Sequence, residues 1–180
     1  MIKLPPLKYL KECFAVDFLN GTLFWKRRPL RHFKDARSWM IWNSNFSKNV
    51  AGGKSANGYK VVTISNKRYL QHRIIFYMKH SKINKFIDHA DGDGLNNSIG
   101  NLRACSYAQN NWNVSVKYKP NGAARNVKWR DDTKSWRAVV KRNGIEFTSR
   151  LFKDLNSANN EAETMRKKLH GEFSARKLQQ

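Results

Sequence analysis

The sequence predicts an α+β protein with a mixed first module of short strands and helices and a small second module built from three strands and a helix. Three observations support this fold class. Short strand patterns and helix patterns alternate through residues 1–114. A lysine-rich stretch at 115–122, with Pro120 and an Asn121-Gly122 turn, is typical of a linker. Three strand patterns and one amphipathic helix then fill residues 123–175.

Charge is the dominant feature of the composition. The 180 residues include 35 Lys and Arg but only 13 Asp and Glu, for a net charge of +22. A folded chain this basic repels itself unless a polyanion offsets the charge, so nucleic acid is the first candidate partner. An anionic membrane is less favoured, because no apolar run approaches the ~20 residues of a membrane span. No signal-peptide pattern opens the chain, and we expect a cytoplasmic protein.

Two cysteines, Cys13 and Cys105, provide neither a disulfide framework nor a paired zinc-binding motif. We expect both to be reduced thiols without a role in the chemistry.

The N-terminal segment predicts a helix, a turn and a strand. Apolar residues recur near helical spacing from Leu4 to Phe18. Asn20-Gly21 is a turn signal, and Thr22–Trp25 has the composition of a strand. The basic run 26–34 that follows is either a solvated loop or a segment that contacts phosphates. Its candidate DNA-binding residues are Arg27, Arg28 and Arg31.

A hairpin and a helix are predicted next. Residues 59–64 and 67–70 form strand patterns around a Ser65-Asn66 turn. Residues 71–80 follow as a helix with three buried apolar residues, Ile74, Ile75 and Met78. His72 and His80 lie on this helix, and we interpret both as structural.

The segment IDHADGDGLNN, residues 87–97, gathers three of the acidic residues around His89. Its DxDG pattern suggests a calcium-binding EF-hand loop, which needs a ligand at position 1 and a bidentate Glu at position 12. Aligning Asp91 and Asp93 with ligand positions 3 and 5 places His89 at the first position and Gly100 at the twelfth. Both residues are wrong for calcium, so the EF-hand is excluded.

A β-loop-β-helix unit fits residues 84–113 better. A short strand ends in Asp88-His89, a polar loop runs to Gly100, and Asn101–Arg103 can return as a second strand. Ser106 is a suitable N-cap for a helix through Trp112. Asp88 and Asn110 could then converge on one hard cation, Mg²⁺ or Mn²⁺. His89 could take a proton from water.

The segment resembles the HNH endonuclease motif of phage and intron homing endonucleases. The residues that match it are Asp88, His89, Gly92, Asp93, Asn97, Asn101, Leu102, Arg103, Gln109, Asn110 and Asn113. The resemblance implies a ββα-metal core, His89 as general base, and Asp88 and Asn110 as ligands of one Mg²⁺ or Mn²⁺. It also implies that Asn101 supports the catalytic base by bracing the loop. We add Arg103 to the DNA-binding set, and we expect Asp91 and Asp93 to form Asx turns.

The C-terminal segment resembles the AP2-type DNA-binding domain. The resemblance lies in Val127-x-Trp129, residues 134–138 (KSWRA), the Asn143-Gly144 turn and the closing HGEF. It departs from the family at Asn126, where Gly is usual, and at residues 149–151. In the strand 136–141, alternation predicts that Trp136, Ala138 and Val140 pack on the final helix. The opposite face would present a basic surface to DNA, formed by Lys128, Arg130, Arg137 and Lys141.

These resemblances predict a metal-dependent endonuclease of the phage homing type that acts on double-stranded DNA as a monomer, without a membrane or a small-molecule cofactor. The alternative is a DNA-binding protein that keeps the HNH fold without cleaving. An RNA-directed nuclease also stays open, because basic charge does not distinguish RNA from DNA.

Overall fold

The computed structural model describes residues 3–114 and 117–174, and its internal contacts divide the chain into two units, 1–104 and 105–180. The division falls inside the predicted β-loop-β-helix unit, between its second strand and its helix. The predicted boundary at 115–122 therefore stays a prediction. Residues 115, 116 and 175 of the predicted segments lie outside the described residues. None of the helices in the described part is long and apolar enough to cross a membrane.

The described residues of the first unit form three α-helices and three small sheets of two or three strands. In chain order its elements are α1 (Leu7–Cys13), β1 (Phe14–Asp17), β2 (Thr22–Trp25), a 3₁₀ turn (Leu30–His32), α2 (Ala36–Phe46), β3 (Gly53–Lys54), β4 (Lys60–Ile64), β5 (Lys67–Leu70), α3 (Gln71–His80), β6 (Phe86–His89) and β7 (Leu102–Cys105). The sheets are β1–β2, β3–β4–β5 and β6–β7. Their inner faces share one core with α1 and α3. The predicted α+β class is confirmed.

The opening helix is shorter than the sequence pattern predicts. The helix ends at Cys13, and Phe14 begins a strand that pairs antiparallel with β2, opposite Trp25. Phe14 is buried and Val16 packs on the same core, so strand alternation accounts for apolar residues that also fit helical spacing. Pairing with the predicted strand Thr22–Trp25, which is confirmed, overrides the helical periodicity.

Helix α2 follows the basic run and was not predicted. Asp35 caps it, because its side chain accepts a hydrogen bond of 2.7 Å from the backbone N–H of Ser38. Met40 and Ile41 are apolar but exposed, so the apolar residues of this helix do not mark a single buried face. The capping residue is therefore the clearest sequence signal for it.

Arg28 corrects one prediction about the basic run. Its side chain is buried, with the guanidinium 4.8 Å from the centre of the Trp42 ring and 4.9 Å from that of Phe33. Arg28 Nη2 donates to Tyr9 Oη at 2.7 Å. Cation–π contacts and this hydrogen bond hold the charge inside the protein. The burial of Arg28 contradicts its assignment to the DNA-binding set.

The hairpin and helix before the acidic segment are confirmed. Ser65 and Asn66 both have positive φ, 47° and 59°, as a type I′ hairpin turn requires. Helix α3 spans Gln71–His80 as predicted, and Ile74 and Ile75 are fully buried. Met78 is only partly buried at the edge of the core.

The second unit contains α4 (Tyr107–Trp112), β8 (Val127–Arg130), β9 (Ser135–Arg142), β10 (Ile145–Phe152) and α5 (Leu155–His170). The three strands form one antiparallel sheet in the order β10–β9–β8. Ala138 on β9 is fully buried with Ala158 and Ala162 of α5, and Trp136 packs against this cluster. The predicted apolar face is therefore confirmed. Helix α5 ends before Gly171, whose φ is +57°.

Part of the predicted linker is a folded turn. Lys119 donates its backbone N–H to the Ala123 carbonyl at 2.8 Å, and Tyr118 forms a β-bridge with Ala124. Ala123 and Ala124 are buried in the core of this unit. The Pro-Asn-Gly sequence acts here as a turn rather than as a flexible spacer, because its flanking residues hydrogen bond to each other.

Candidate active site

Two short strands and the loop between them position the Asp88-His89 pair. Strand β6 ends at His89, and the loop returns to β7 where the Ala90 N–H donates to the Asn101 carbonyl at 2.8 Å. Asp91 Oδ1 accepts the backbone N–H of Asp93 at 2.8 Å, and Asp93 Oδ1 accepts that of Leu95 at 2.9 Å. The predicted Asx turns of both acids are confirmed.

Asn101 connects the two ends of the loop. Its Oδ1 accepts the Asp91 N–H at 3.0 Å, and its Nδ2 donates to Asp91 Oδ1 at 2.9 Å and to the Asn96 carbonyl at 2.8 Å. Although partial burial opposes the effect, hydrogen bonds from Asn96, the Asp93 amide and Asn101 lower the pKa of Asp91. The Asp91 carboxylate thus serves the loop as an ionised acceptor.

His89 lies in a buried group of polar side chains. Its imidazole is 5% exposed, and its Nε2 is 3.0 Å from Oδ1 of Asn97, which is fully buried. The His72 ring meets it edge-on with centroids 4.8 Å apart, and the Tyr59 ring lies at 5.9 Å. One nitrogen of the His89 ring is therefore engaged with Asn97, and aromatic neighbours flank the ring.

His72 belongs to this group as a buried packing residue, which agrees with the structural role that the sequence suggested. Burial first, and then the nearby His89 and Arg73, lower the pKa of His72 to about 3. The imidazole is therefore neutral at neutral pH. His72, Tyr59 and Asn97 come from three separate parts of the chain. Of these, only Asn97 lies inside the motif, and its spacing gives no sign of a bond to His89.

Asp88 forms a buried ion pair with Arg103. Arg103 Nε and Nη2 donate to Asp88 Oδ2 at 2.9 and 2.8 Å, between the adjacent strands β6 and β7. Both side chains are mostly buried, with 8% of Asp88 and 17% of Arg103 exposed. Arg103 was predicted to contact DNA, but its guanidinium binds this carboxylate instead. Opposite charges on neighbouring strands explain the pairing.

The residue types predicted as metal ligands suit a hard cation. The carboxylate of Asp88 and the amide oxygen of Asn110 belong to ligand classes that Mg²⁺ and Mn²⁺ prefer. Asn110 lies on α4 in the other unit, where its backbone N–H donates to the Ser106 carbonyl at 3.0 Å. Across residues 3–114 and 117–174, no group of three or more His, Cys, Asp and Glu gathers as a metal centre would. The Asp88 and Asn110 ligand set stays a prediction.

The remaining predicted DNA-binding residues differ in their surroundings. Arg27 lies over the Trp39 ring, with its guanidinium 4.9 Å from the ring centre. Arg31 pairs with Glu12, Arg130 with Asp132, and Lys141 with Glu146. Lys128 stands directly opposite Arg137 in the β8–β9 register. The last pair places two positive charges side by side on the sheet, and the DNA-binding role of these residues stays a prediction.

Comparison with known proteins identifies the segment that contains this site. Residues 69–112 match the family model described as HNH endonuclease. Protein 3.8 of Escherichia phage T7 is 29% identical over 89 residues, which are 49% of this chain and 73% of that protein. No solved structure matches the chain. The Asp88-His89 pair, its braced loop and the helix that precedes them therefore lie in an HNH endonuclease family domain spanning residues 69–112.

Proposed function

We propose that this protein is a metal-dependent DNA endonuclease of the phage homing type. One observation carries the proposal: a buried, hydrogen-bonded His89 ends β6 beside Asp88, within the residues that match the HNH endonuclease model. The similarity to a phage protein agrees with a phage origin.

The proposed reaction is hydrolysis of one phosphodiester bond. The His89 imidazole takes a proton from a water molecule, whose oxygen attacks phosphorus. The bond from phosphorus to the 3′-oxygen breaks, and this oxygen takes a proton from solvent, which leaves a 5′-phosphate and a 3′-hydroxyl. Asp88 and Asn110 would hold Mg²⁺ or Mn²⁺. A bound cation of this kind offsets negative charge on the phosphate and the leaving oxygen.

The second unit supports DNA binding through its exposed sheet face. Lys128 and Arg137 are direct cross-strand partners. Like charges in this arrangement cost stability in the free protein, and a nucleic-acid phosphate backbone would offset that cost. We propose that this AP2-like sheet binds double-stranded DNA. We also propose that the protein acts as a monomer, whose HNH domain cleaves one strand each time the protein binds.

A second candidate function is DNA binding without cleavage. The observation in its favour is the pairing of Arg103 with Asp88, since a guanidinium on the carboxylate competes with a cation for the same charge. In this case the protein would be a regulatory or accessory factor that retains the HNH fold.

Nicking of supercoiled plasmid DNA with Mg²⁺ distinguishes the two candidates. We expect the wild-type protein to nick the plasmid and EDTA to stop the reaction. His89→Ala should lower the rate at least about 100-fold, as loss of a general base does. DNA affinity, measured without Mg²⁺, should stay unchanged.

His80→Ala is the matched control, because His80 is exposed at the end of α3 in the same unit. It should cleave at the wild-type rate. Full cleavage by His89→Ala would contradict the assignment of the base. No cleavage by the wild type, with DNA binding intact, would favour the second candidate. Competition with RNA of the same length tests whether the substrate is DNA.

A further inference from the structure

We propose that Asn97 is the positioning residue for His89: it fixes the tautomer of the catalytic imidazole, and the turn at Gly21 holds Asn97 in place. The inference rests on the proposed function of His89 as a general base. It assigns a role to two residues that take no part in the chemistry themselves.

The first step is the hydrogen bond between the two side chains. Asn97 is fully buried, and its Oδ1 is 3.0 Å from His89 Nε2. In this arrangement the amide oxygen accepts the hydrogen bond, so Nε2 carries the proton. The lone pair of the neutral imidazole then lies on Nδ1. This is the tautomer in which Nδ1 can accept a proton from water.

The second step concerns the ring plane. The hydrogen bond alone leaves the imidazole able to tilt about the Nε2–Oδ1 direction. The buried His72 ring meets His89 edge-on, with an angle of 77° between the ring planes. Tyr59 packs near both histidine rings, 5.7 Å from His72 and 5.9 Å from His89. Together these contacts hold one orientation of the base.

The third step is the backbone that carries Asn97. Gly21, in the turn between β1 and β2, has φ of +60°. A Cβ at this position would lie 2.0 Å from the carbonyl carbon of Asn97 and 2.3 Å from the backbone nitrogen of Ser98. Only glycine allows this approach. On the next residue of the loop, the Ile99 N–H donates to the Phe18 carbonyl at 2.9 Å.

The N-terminal hairpin is therefore a support for the active-site loop. It contributes no reactive group, but it fixes the backbone at Asn97, and Asn97 fixes the base. This is the arrangement expected when a catalytic group must be held by neighbours whose own positions are locked by packing.

The test combines NMR spectroscopy of the full-length ¹⁵N-labelled protein with plasmid nicking. Long-range ¹H–¹⁵N spectra of the neutral imidazoles should show His89 protonated at Nε2 in the wild type. Asn97→Leu removes the acceptor at similar volume, and His89 should then show a mixture of tautomers. Its kcat should fall about 100-fold with KM for DNA unchanged, as for other groups that orient a catalytic histidine. Asn97→Asp keeps an acceptor oxygen, so this variant should show the Nε2 tautomer of His89 and a kcat close to that of the wild type.

Val62→Ala is the control for a general loss of stability, because Val62 is buried in the core of the same unit. It should keep the Nε2 tautomer and the wild-type kcat. Protonation of His89 at Nδ1 in the wild type would overturn the proposal, even if Asn97→Leu fails to fold. So would Asn97→Leu with an unchanged tautomer and rate. A wild-type protein that shows the Nε2 tautomer but does not nick DNA would overturn the nuclease function and, with it, the positioning role in catalysis. The Asn97 hydrogen bond itself would stand.

Discussion

Asp88 and Arg103 form an ion pair that is mostly buried. Both donors of Arg103 reach the same carboxylate oxygen, Oδ2. Such a pair adds little net stability, because desolvation of both charges opposes their attraction. Removing one partner is costly, however, since the other loses this opposite charge while it stays buried.

Arg103→Leu should therefore lower the free energy of unfolding by about 3 kcal/mol. Urea denaturation monitored by circular dichroism measures the change. Lys168→Gln on the exposed side of α5 is the control and should stay within about 0.5 kcal/mol of wild type. A loss below about 1 kcal/mol for Arg103→Leu would contradict the buried pair.

The same variant tests Asp88 as a metal ligand. If Asp88 binds a cation, Mg²⁺ should raise the melting temperature of Arg103→Leu more than that of the wild type, because the cation takes the position of the lost charge. The double variant Asp88→Asn/Arg103→Leu should lose this response. An equal response in all three proteins would contradict the assignment of Asp88 as a ligand.

His72 predicts how stability depends on pH. Burial, followed by the charges of His89 and Arg73, lowers its pKa from 6.5 to about 3. The unfolded chain therefore binds one more proton than the folded chain between these values, so stability falls as the pH falls through this range. One such group contributes a slope of about 1.4 kcal/mol per pH unit.

His72→Phe should remove this contribution and flatten the slope by about 1 kcal/mol per pH unit between about pH 6 and pH 4. Urea denaturation across this range gives the slope. His80→Ala, which changes an exposed histidine on the same helix, should keep the wild-type slope. An unchanged slope in His72→Phe would show that His72 is protonated in the folded protein.

Helix α4 illustrates the scale of the secondary-structure element. Its six residues are too few to form a stable helix alone, and a capping box begins it. Ser106 Oγ accepts the Gln109 N–H at 3.2 Å, while Gln109 Oε1 accepts the Ser106 N–H at 2.7 Å. The stacking of Trp112 on His170, with ring centroids 4.5 Å apart, holds its other end.

Ser106→Ala should cost about 1 kcal/mol of local helix stability. The protection of the Asn110 and Asn113 amides from hydrogen exchange should fall about 5-fold, as this energy implies. Ser157→Ala in α5 is the control, because only its backbone N–H takes part in the cap made by Asp154. Unchanged protection in Ser106→Ala would mean that packing alone holds α4.

Charge acts at the scale of the whole molecule. The net charge of +22 predicts strong, salt-dependent binding to DNA. Some basic residues form ion pairs with acids, such as Lys141 with Glu146. Others lie opposite a second basic residue, such as Lys128 opposite Arg137 on the neighbouring strand. Residues of the second kind should account for more of the counterion release.

Lys128→Gln and Arg137→Gln should each reduce the slope of log affinity against log salt by about 1. Lys141→Gln should change it by less, because Glu146 already neutralises part of that charge. Fluorescence anisotropy with one DNA duplex over a salt series measures all three, with Lys168→Gln as control. Equal effects at the three positions would contradict this division.

The sequence by itself determined the local features of this protein. Turn signals at Asn20-Gly21 and Ser65-Asn66, the Ser106 cap and the alternation in β9 depend on neighbours within a few residues, and the structure contains each of them. The acidic segment likewise resembles the HNH motif, and the family match at residues 69–112 supports this resemblance.

Only the tertiary structure decided which side chains meet. It buried Arg28 among aromatic rings, joined Arg103 to Asp88, and brought His72 and Asn97 to His89. It also placed the turn at Gly21 against the loop at Asn97. These contacts join residues from separate elements, so they cannot be predicted from composition or from spacing along the chain. The HNH family of this segment could therefore be predicted from its motif, whereas the contacts around His89 depend on how the strands and helices pack.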